Sequence, residues 1–124
     1  MRVKILLSIL VYLLLYVSVA NAAIRERVYQ DKWCKAKGGQ SEVVMPDRSR
    51  ADCILPDYAI EFDFCRKWAE SIGQSLNYAT MTGKRPMVVL ICNPATQSRY
   101  INRFNNAVKY LNRYEKPILI VIPK

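Results

Sequence analysis

The spacing of apolar and polar residues changes several times along the chain, and each change marks an element. The first pattern is an unbroken apolar run from Ile5 to Ala20, preceded by Arg2 and Lys4 and followed by Ala20-Asn21-Ala22. A basic start, an apolar stretch and a small-residue A-x-A site form a secretory signal, with cleavage expected after Ala22. The run is also near the lower limit for crossing a bilayer, so an uncleaved anchor is the competing reading. Residues 1–22 are thus assigned to the signal and 23–124 to a single domain.

Beyond it, Ile24 to Lys37 reads as a helix, with Val28 and Trp33 facing a core and Arg25, Arg27, Lys32 and Lys35 facing water. The "KGG" at Lys37 to Gly39 stops it. Glu42 to Met45 is a short strand, "PDRS" at Pro46 to Ser49 a hairpin turn, and Arg50 to Leu55 a second strand. After Pro56-Asp57, Tyr58 to Phe64 is a third strand. Arg66 to Met81 carries Trp68, Ile72, Leu76 and Ala79 on one helical stripe, and "TGKRP" ends that helix. Val88 to Cys92 is a strand apolar on both faces. Thr96 to Arg113 is an amphipathic helix with Tyr100, Phe104, Val108 and Leu111 inward, and Pro117 to Ile122 is a last buried strand.

The order α-β-β-β-α-β-α-β places a hairpin-linked antiparallel group before a strand-helix-strand-helix-strand run. Right-handed crossovers then give a three-layer α/β domain, a mixed central sheet with helices on its faces.

Charge and cysteine content narrow this picture. The formal charge of +9 falls to about +7 once Arg2 and Lys4 leave with the signal, and a basic surface favours polyanions. Arg99, Arg103, Lys109 and Arg113 can meet a nucleic-acid backbone, although a solvated helix face is the better explanation of them. Cys34, Cys53, Cys65 and Cys92 all follow the signal, in a chain bound for an oxidising compartment, periplasmic or extracellular. Cys34 and Cys53 are the first pair expected; Cys65 and Cys92 either pair or remain core thiols. The absence of histidine and of any C-x-x-C argues against zinc.

The candidate chemistry lies in "EFDFCRKWAESIGQSLNY", Glu61 to Tyr78. Glu61 and Asp63 are two residues apart on a strand and share a face, and a hairpin brings Asp52 near Glu61. Lys67, Glu70, Gln74 and Tyr78 make a polar stripe at helical spacing. Taken singly, such residues are usually surface ion pairs or packing. Together they put acids into strands that would ordinarily bury Val or Ile. Converging carboxylates repel unless a cation neutralises them, and Mg2+ (or Mn2+), a hard ion taking oxygen ligands, suits Asp52, Glu61 and Asp63. Lys67 would stabilise negative charge, and Gln74 and Tyr78 would hold a phosphate oxygen or a water.

On these residues the chain resembles the PD-(D/E)XK, or restriction endonuclease-like, phosphodiesterase superfamily. "RADC" is similar to the segment supplying the first metal-binding Asp, here Asp52. "AIEFDF" is similar to the (D/E)-x-K strand with Glu61 as second ligand, and "QSLNY" to the Q-x-x-x-Y helix motif of the RecB-like branch, Gln74 and Tyr78. The longer run through "MVVLI" also looks like small bacterial proteins placed in that superfamily. The resemblance covers nearly all of the chain after the signal. It implies a restriction endonuclease-like α-β-β-β-α-β core plus a C-terminal helix and strand, and a Mg-dependent nuclease. Asp63 holds the position of the family lysine, so the stretch reads E-x-D, with Lys67 one helical turn further on. Glu26 and Glu42 are candidate extra acids. The expected function is an exported metal-dependent nuclease acting on nucleic acid, with no membrane association after signal cleavage. The alternatives are a catalytically degenerate exported domain that binds a protein or nucleic-acid partner, and a small disulfide-stabilised structural protein.

Overall fold

The computed structural model describes residues 1–124, the side chain of Arg2 excepted. Three helices and five strands follow the expected order: α1 (Arg2–Ala36), β1 (Gln40–Val44), β2 (Arg50–Ile54), β3 (Tyr58–Phe64), a 3-10 turn at Cys65–Lys67, α2 (Trp68–Thr82), β4 (Arg85–Cys92), α3 (Gln97–Val108) and β5 (Ile118–Pro123). The strands form one mixed open sheet in the order β1-β2-β3-β4-β5. β1, β2 and β3 are antiparallel neighbours, whereas β3, β4 and β5 run parallel. Two parallel crossovers stepping in the same direction put α2 and α3 on the same face, and α1 covers the opposite face.

The strand periodicity shows this division. Ile60, Phe62, Met87, Val89, Ile118 and Ile120 pack toward Trp33 and Cys34 of α1. Val88, Leu90, Leu119 and Val121 pack toward Trp68 and Ile72 of α2 and Phe104 and Val108 of α3. β4 is buried along nearly its whole length, as its uninterrupted apolar composition requires. It begins at Arg85, three residues before the expected Val88, and includes Pro86. The proline is tolerated because β5 joins only from Met87, so β4 has a single neighbour at that point.

α1 differs most from expectation. The apolar run and the helix expected from Ile24 are one continuous helix of 35 residues, about 52 Å long. Nothing in Ala20-Asn21-Ala22 breaks a helix, so the expected cleavage point passes without a kink. The apolar part is long enough to cross a membrane, with mean hydropathy 2.3, and none of it is buried. Val28 does not face the core; it is 63% exposed. The inward side is Glu26, Gln30, Trp33 and Cys34, and Val28 projects from the other side. The helix ends in a Schellman motif: Gly38, at φ 71°, donates to Lys35 O at 3.0 Å and Gly39 donates to Cys34 O at 2.9 Å.

α2 is also rotated from its expected setting. Trp68, Ile72, Leu76 and Ala79 are only half-buried, while Ser71, Ser75 and Tyr78 are buried. The serines satisfy themselves, donating to the carbonyls of Trp68 (2.7 Å) and Ile72 (2.9 Å), so their burial costs little. Their small size lets α2 lie close to the sheet. α3 buries Phe104 and Val108 as expected but stops at Val108; Leu111 packs from the loop that follows.

Two disulfides staple the layers. Cys34–Cys53 ties α1 to β2, and Cys65–Cys92 ties the turn before α2 to the end of β4. Both alternatives left open for Cys65 and Cys92 are therefore resolved in favour of pairing. Closing loops with sequence separations of 19 and 27 residues is worth about 3 kcal/mol each on chain-entropy grounds. Disulfides together with an apolar N-terminal helix fit an exported protein.

Gly39 lies directly on the first disulfide. A Cβ there would stand 2.7 Å from Cys53 Sγ and 2.8 Å from Cys34 Sγ. Gly39→Ala is therefore expected to destabilise by about 2 kcal/mol through overpacking. Gly73, in α2 with nothing near its Cβ position, is expected to gain about 0.5–1 kcal/mol as Gly73→Ala. Urea denaturation of the two variants should show shifts of opposite sign.

Candidate active site

The site forms where β2 and β3 part. They pair only through Cys53↔Ile60 and Ile54↔Ala59, so from Glu61 onward β3 has no backbone partner on that side. The Asp52 side chain fills the vacancy, its Oδ2 accepting a 2.7 Å hydrogen bond from Phe62 N. The Asp52 carbonyl is occupied in turn by Gln30 Nε2 of α1 at 2.8 Å, and the same amide donates to Glu42 Oε1 at 3.0 Å. Glu42, opposite Asp52 in register, has φ 57°, at a cost of about 1 kcal/mol for a residue other than glycine. The strand turns over here: Cys53 packs on the α1 side, whereas Ala51 packs with Ala59 and Tyr78 on the α2 side. A regular strand would keep positions 51 and 53 on one face.

This fork gathers the acids. Glu61 and Asp63 are 5% and 3% exposed and point to the α2 face. Asp52 and Glu61 lie within hydrogen-bonding reach of each other, and so do Glu26, from α1, and Asp63. Lys67, in the turn after β3, brings its Nζ to 3.7 Å from Asp63 Oδ1 and stays 46% exposed. Above Glu61 sit two residues of α2. The Gln74 amide, with its nitrogen toward the carboxylate, donates to Glu61 Oε1 and, at 3.3 Å, to Oε2. The buried Tyr78 hydroxyl lies near Glu61 and Asp52, whose charges raise its pKa. The six residues singled out in the sequence, Asp52, Glu61, Asp63, Lys67, Gln74 and Tyr78, therefore occupy one neighbourhood. Glu70, on the same expected stripe, is exposed. Glu42 is engaged elsewhere, with Arg27 at 3.8 Å and Arg50 at 3.5 Å.

The arrangement within the neighbourhood differs from a single three-acid set. The carboxyls stand as two pairs, Asp52 with Glu61 and Glu26 with Asp63. Among the described residues, no three His, Cys, Asp or Glu are closed around one point as a ready-made metal cage. Two residues of this neighbourhood come from α1: Glu26, which no motif selected, and Gln30, which composition alone hid. Their signal was the spacing Glu26, Gln30, Cys34, one helical face ending in a disulfide cysteine.

The electrostatics follow from burial with too few cations. Burial, then the Asp52 charge, pushes Glu61 up to about 10. Burial raises Asp63 to about 7, with Glu26 adding to the rise and Lys67 opposing it. Burial raises Asp52 to about 6 against the lowering effect of the Phe62 N–H. Glu26 is raised by burial and then by Asp52. Tyr78 is pushed upward by burial and by the charges of Glu61 and Asp52. Near neutral pH Glu61 keeps its proton and can share it with Asp52. All ligand atoms here are oxygens, which suits a hard divalent ion. No thiol competes, since all four cysteines are in disulfides.

Compared with family models, with curated proteins and with solved structures, the chain finds no match. The site therefore rests on its own geometry.

Each of these carboxyls has a folded value above its unfolded one, so the folded state binds more protons. The resulting stabilisation is complete below about pH 4 and is lost as pH rises through about 6, 7 and 10 for Asp52, Asp63 and Glu61. In chelator, the melting temperature should fall from pH 5 to pH 9. Glu61→Gln, which removes the largest shift, should flatten that decline in a thermal-melt series.

Proposed function

We propose that the protein is an exported metal-dependent phosphodiesterase, a nuclease of the restriction endonuclease-like type. One observation carries the reading: Asp52, Glu61 and Asp63 are gathered, against their mutual repulsion, beside a lysine from the next turn. The repulsion favours any state in which a cation replaces the shared protons. The element order α-β-β-β-α-β and the E-x-D strand followed by Q-x-x-x-Y support the same assignment.

In this reading Asp52 and Glu61 hold Mg2+ or Mn2+, with Asp63 assisting. The ion would supply Lewis acidity and a bound water of lowered pKa. The chain's own groups do the rest. Gln74 and Tyr78 orient the Glu61 carboxylate from above. Lys67, half-exposed at the rim and anchored on Asp63, presents an ammonium to the negative charge that develops on a phosphoryl oxygen. Phe62 N–H fixes Asp52, so its free oxygen keeps one direction.

A second reading has its own support. Asp63 stands where the motif has lysine, and Lys67 is engaged in an ion pair with it. A domain that retained the fork but lost hydrolysis would bind a protein or nucleic-acid partner instead.

Cleavage assays separate the two readings. Plasmid, single-stranded DNA and RNA should be cut in Mg2+ or Mn2+ and spared in chelator. Asp52→Asn and Glu61→Gln should each lower the rate by at least about 100-fold while the circular-dichroism spectrum stays native. Lys67→Ala should lower kcat by about 100-fold, the scale of losing one positioned charge donor. Undiminished cutting by both acid variants would overturn the hydrolase reading, and absence of cutting by the parent with either metal would favour the binding reading.

A further inference from the structure

A second concavity lies beside the acid fork and has the opposite character. It measures about 360 Å³ and opens at the C-terminal ends of the parallel strands, between Phe64, Ile91 and Lys124, with α1 and the start of α3 as walls. The C-terminal ends of parallel strands are where α/β folds place ligands. Arg25, Arg66 and Lys124 line it, and among the described residues no Asp or Glu does. None of these three cations has a carboxylate within ion-pair distance among the described residues. Lys124 Nζ instead rests 5.5 Å from the centre of the Phe64 ring. α3 starts at the same wall with no acid in its first turn, its Gln97 N–H donating to Asn93 O at 3.0 Å. Ala22 is the one lining residue from the expected signal, so the cation set does not depend on that segment.

The two concavities are neighbours. A cleft of about 290 Å³ joins Glu26 and Lys67 of the acid site to Phe64 and Arg66 of the basic cavity, with Ser18, Val19 and Ala22 of the expected signal on its α1 wall. A ligand occupying both would place one negative group at the acid fork's rim and another among three cations.

We propose that this basic cavity holds a backbone phosphate of a nucleic-acid strand, adjacent to the phosphate presented to the acid site. The identity of the strand rests on the nuclease reading; the anion preference rests on the cavity alone. A strand with phosphates at both places accounts for a cavity whose charged side chains are all cations lying next to the acids. Arg66 stands between them and positions the chain.

The experiment measures binding of a fluorescent single-stranded oligonucleotide to the purified protein in Ca2+, across a salt series. The variants are Arg66→Ala, Lys124→Ala, their double, and Lys35→Ala as a control, an exposed lysine in the last turn of α1. Each cavity variant should weaken binding about 3- to 10-fold and the double by more. The slope of log affinity against log salt should become shallower by about one per lost phosphate contact, which loss of folding would not produce. Lys35→Ala should change neither. Equal binding by the double variant and the parent overturns the proposal, even if Asp52→Asn abolishes cleavage. Loss of binding in the double variant, with cleavage untouched by Asp52→Asn, sustains the cavity and overturns the hydrolase. Inorganic phosphate competing for the parent but not the double supports the site. Binding to vesicles of anionic phospholipid without binding to the oligonucleotide overturns the assignment to nucleic acid.

Discussion

Carboxylates buried without enough positive charge are the constraint that organises this molecule. Moving an ionised carboxylate out of water is costly, and a second one beside it raises the cost again. Glu61 and Asp63 are nevertheless nearly inaccessible, with Asp52 and Glu26 against them and Lys67 as the nearby cation. The fold meets this cost by retaining protons and by placing donors on the acids: Phe62 N–H on Asp52 and the Gln74 amide on Glu61. The proposed function requires that such a site exchange these protons for a cation.

The rest of the fold serves the fork. β2 must leave β3 after two paired residues, which would orphan backbone groups in a buried place. Side chains replace the missing ladder, Asp52 taking the Phe62 N–H and Gln30 supplying the Asp52 carbonyl. The Cys34–Cys53 bridge holds α1 one residue away from this exchange, and Cys65–Cys92 holds the turn that carries Lys67. Ser71 and Ser75 let α2 settle close enough for Gln74 and Tyr78 to reach Glu61. A larger apolar residue at either serine would lift the helix away from the acids.

Much of this was legible from residue order. Strand periods, turn residues and the α2 and α3 patterns gave all five strands and the helix order, because each reports a local backbone preference or one buried face. The acids in "ADCIL" and "AIEFDF" stood out because they violate that same periodicity, and violations of local rules tend to mark sites. Val28 was misplaced because one isolated apolar residue says little about which helix side is covered. The α2 stripe was rotated because two serines can be buried once their hydroxyls bond to their own helix.

From its letters alone, the chain determined an apolar N-terminal run, a mixed α/β order, two acids sharing a strand face and the helix spacing of Gln74 and Tyr78. Those are properties of neighbours in sequence, set by periods of two and 3.6 residues. Only the tertiary structure decided that β2 turns over at Asp52, that Glu26 joins Asp63 from a different layer, and that Arg25, Arg66 and Lys124 gather in a separate cavity. Each of these depends on where separate segments stop pairing and what then fills the gap, a matter of long-range packing that no local period encodes.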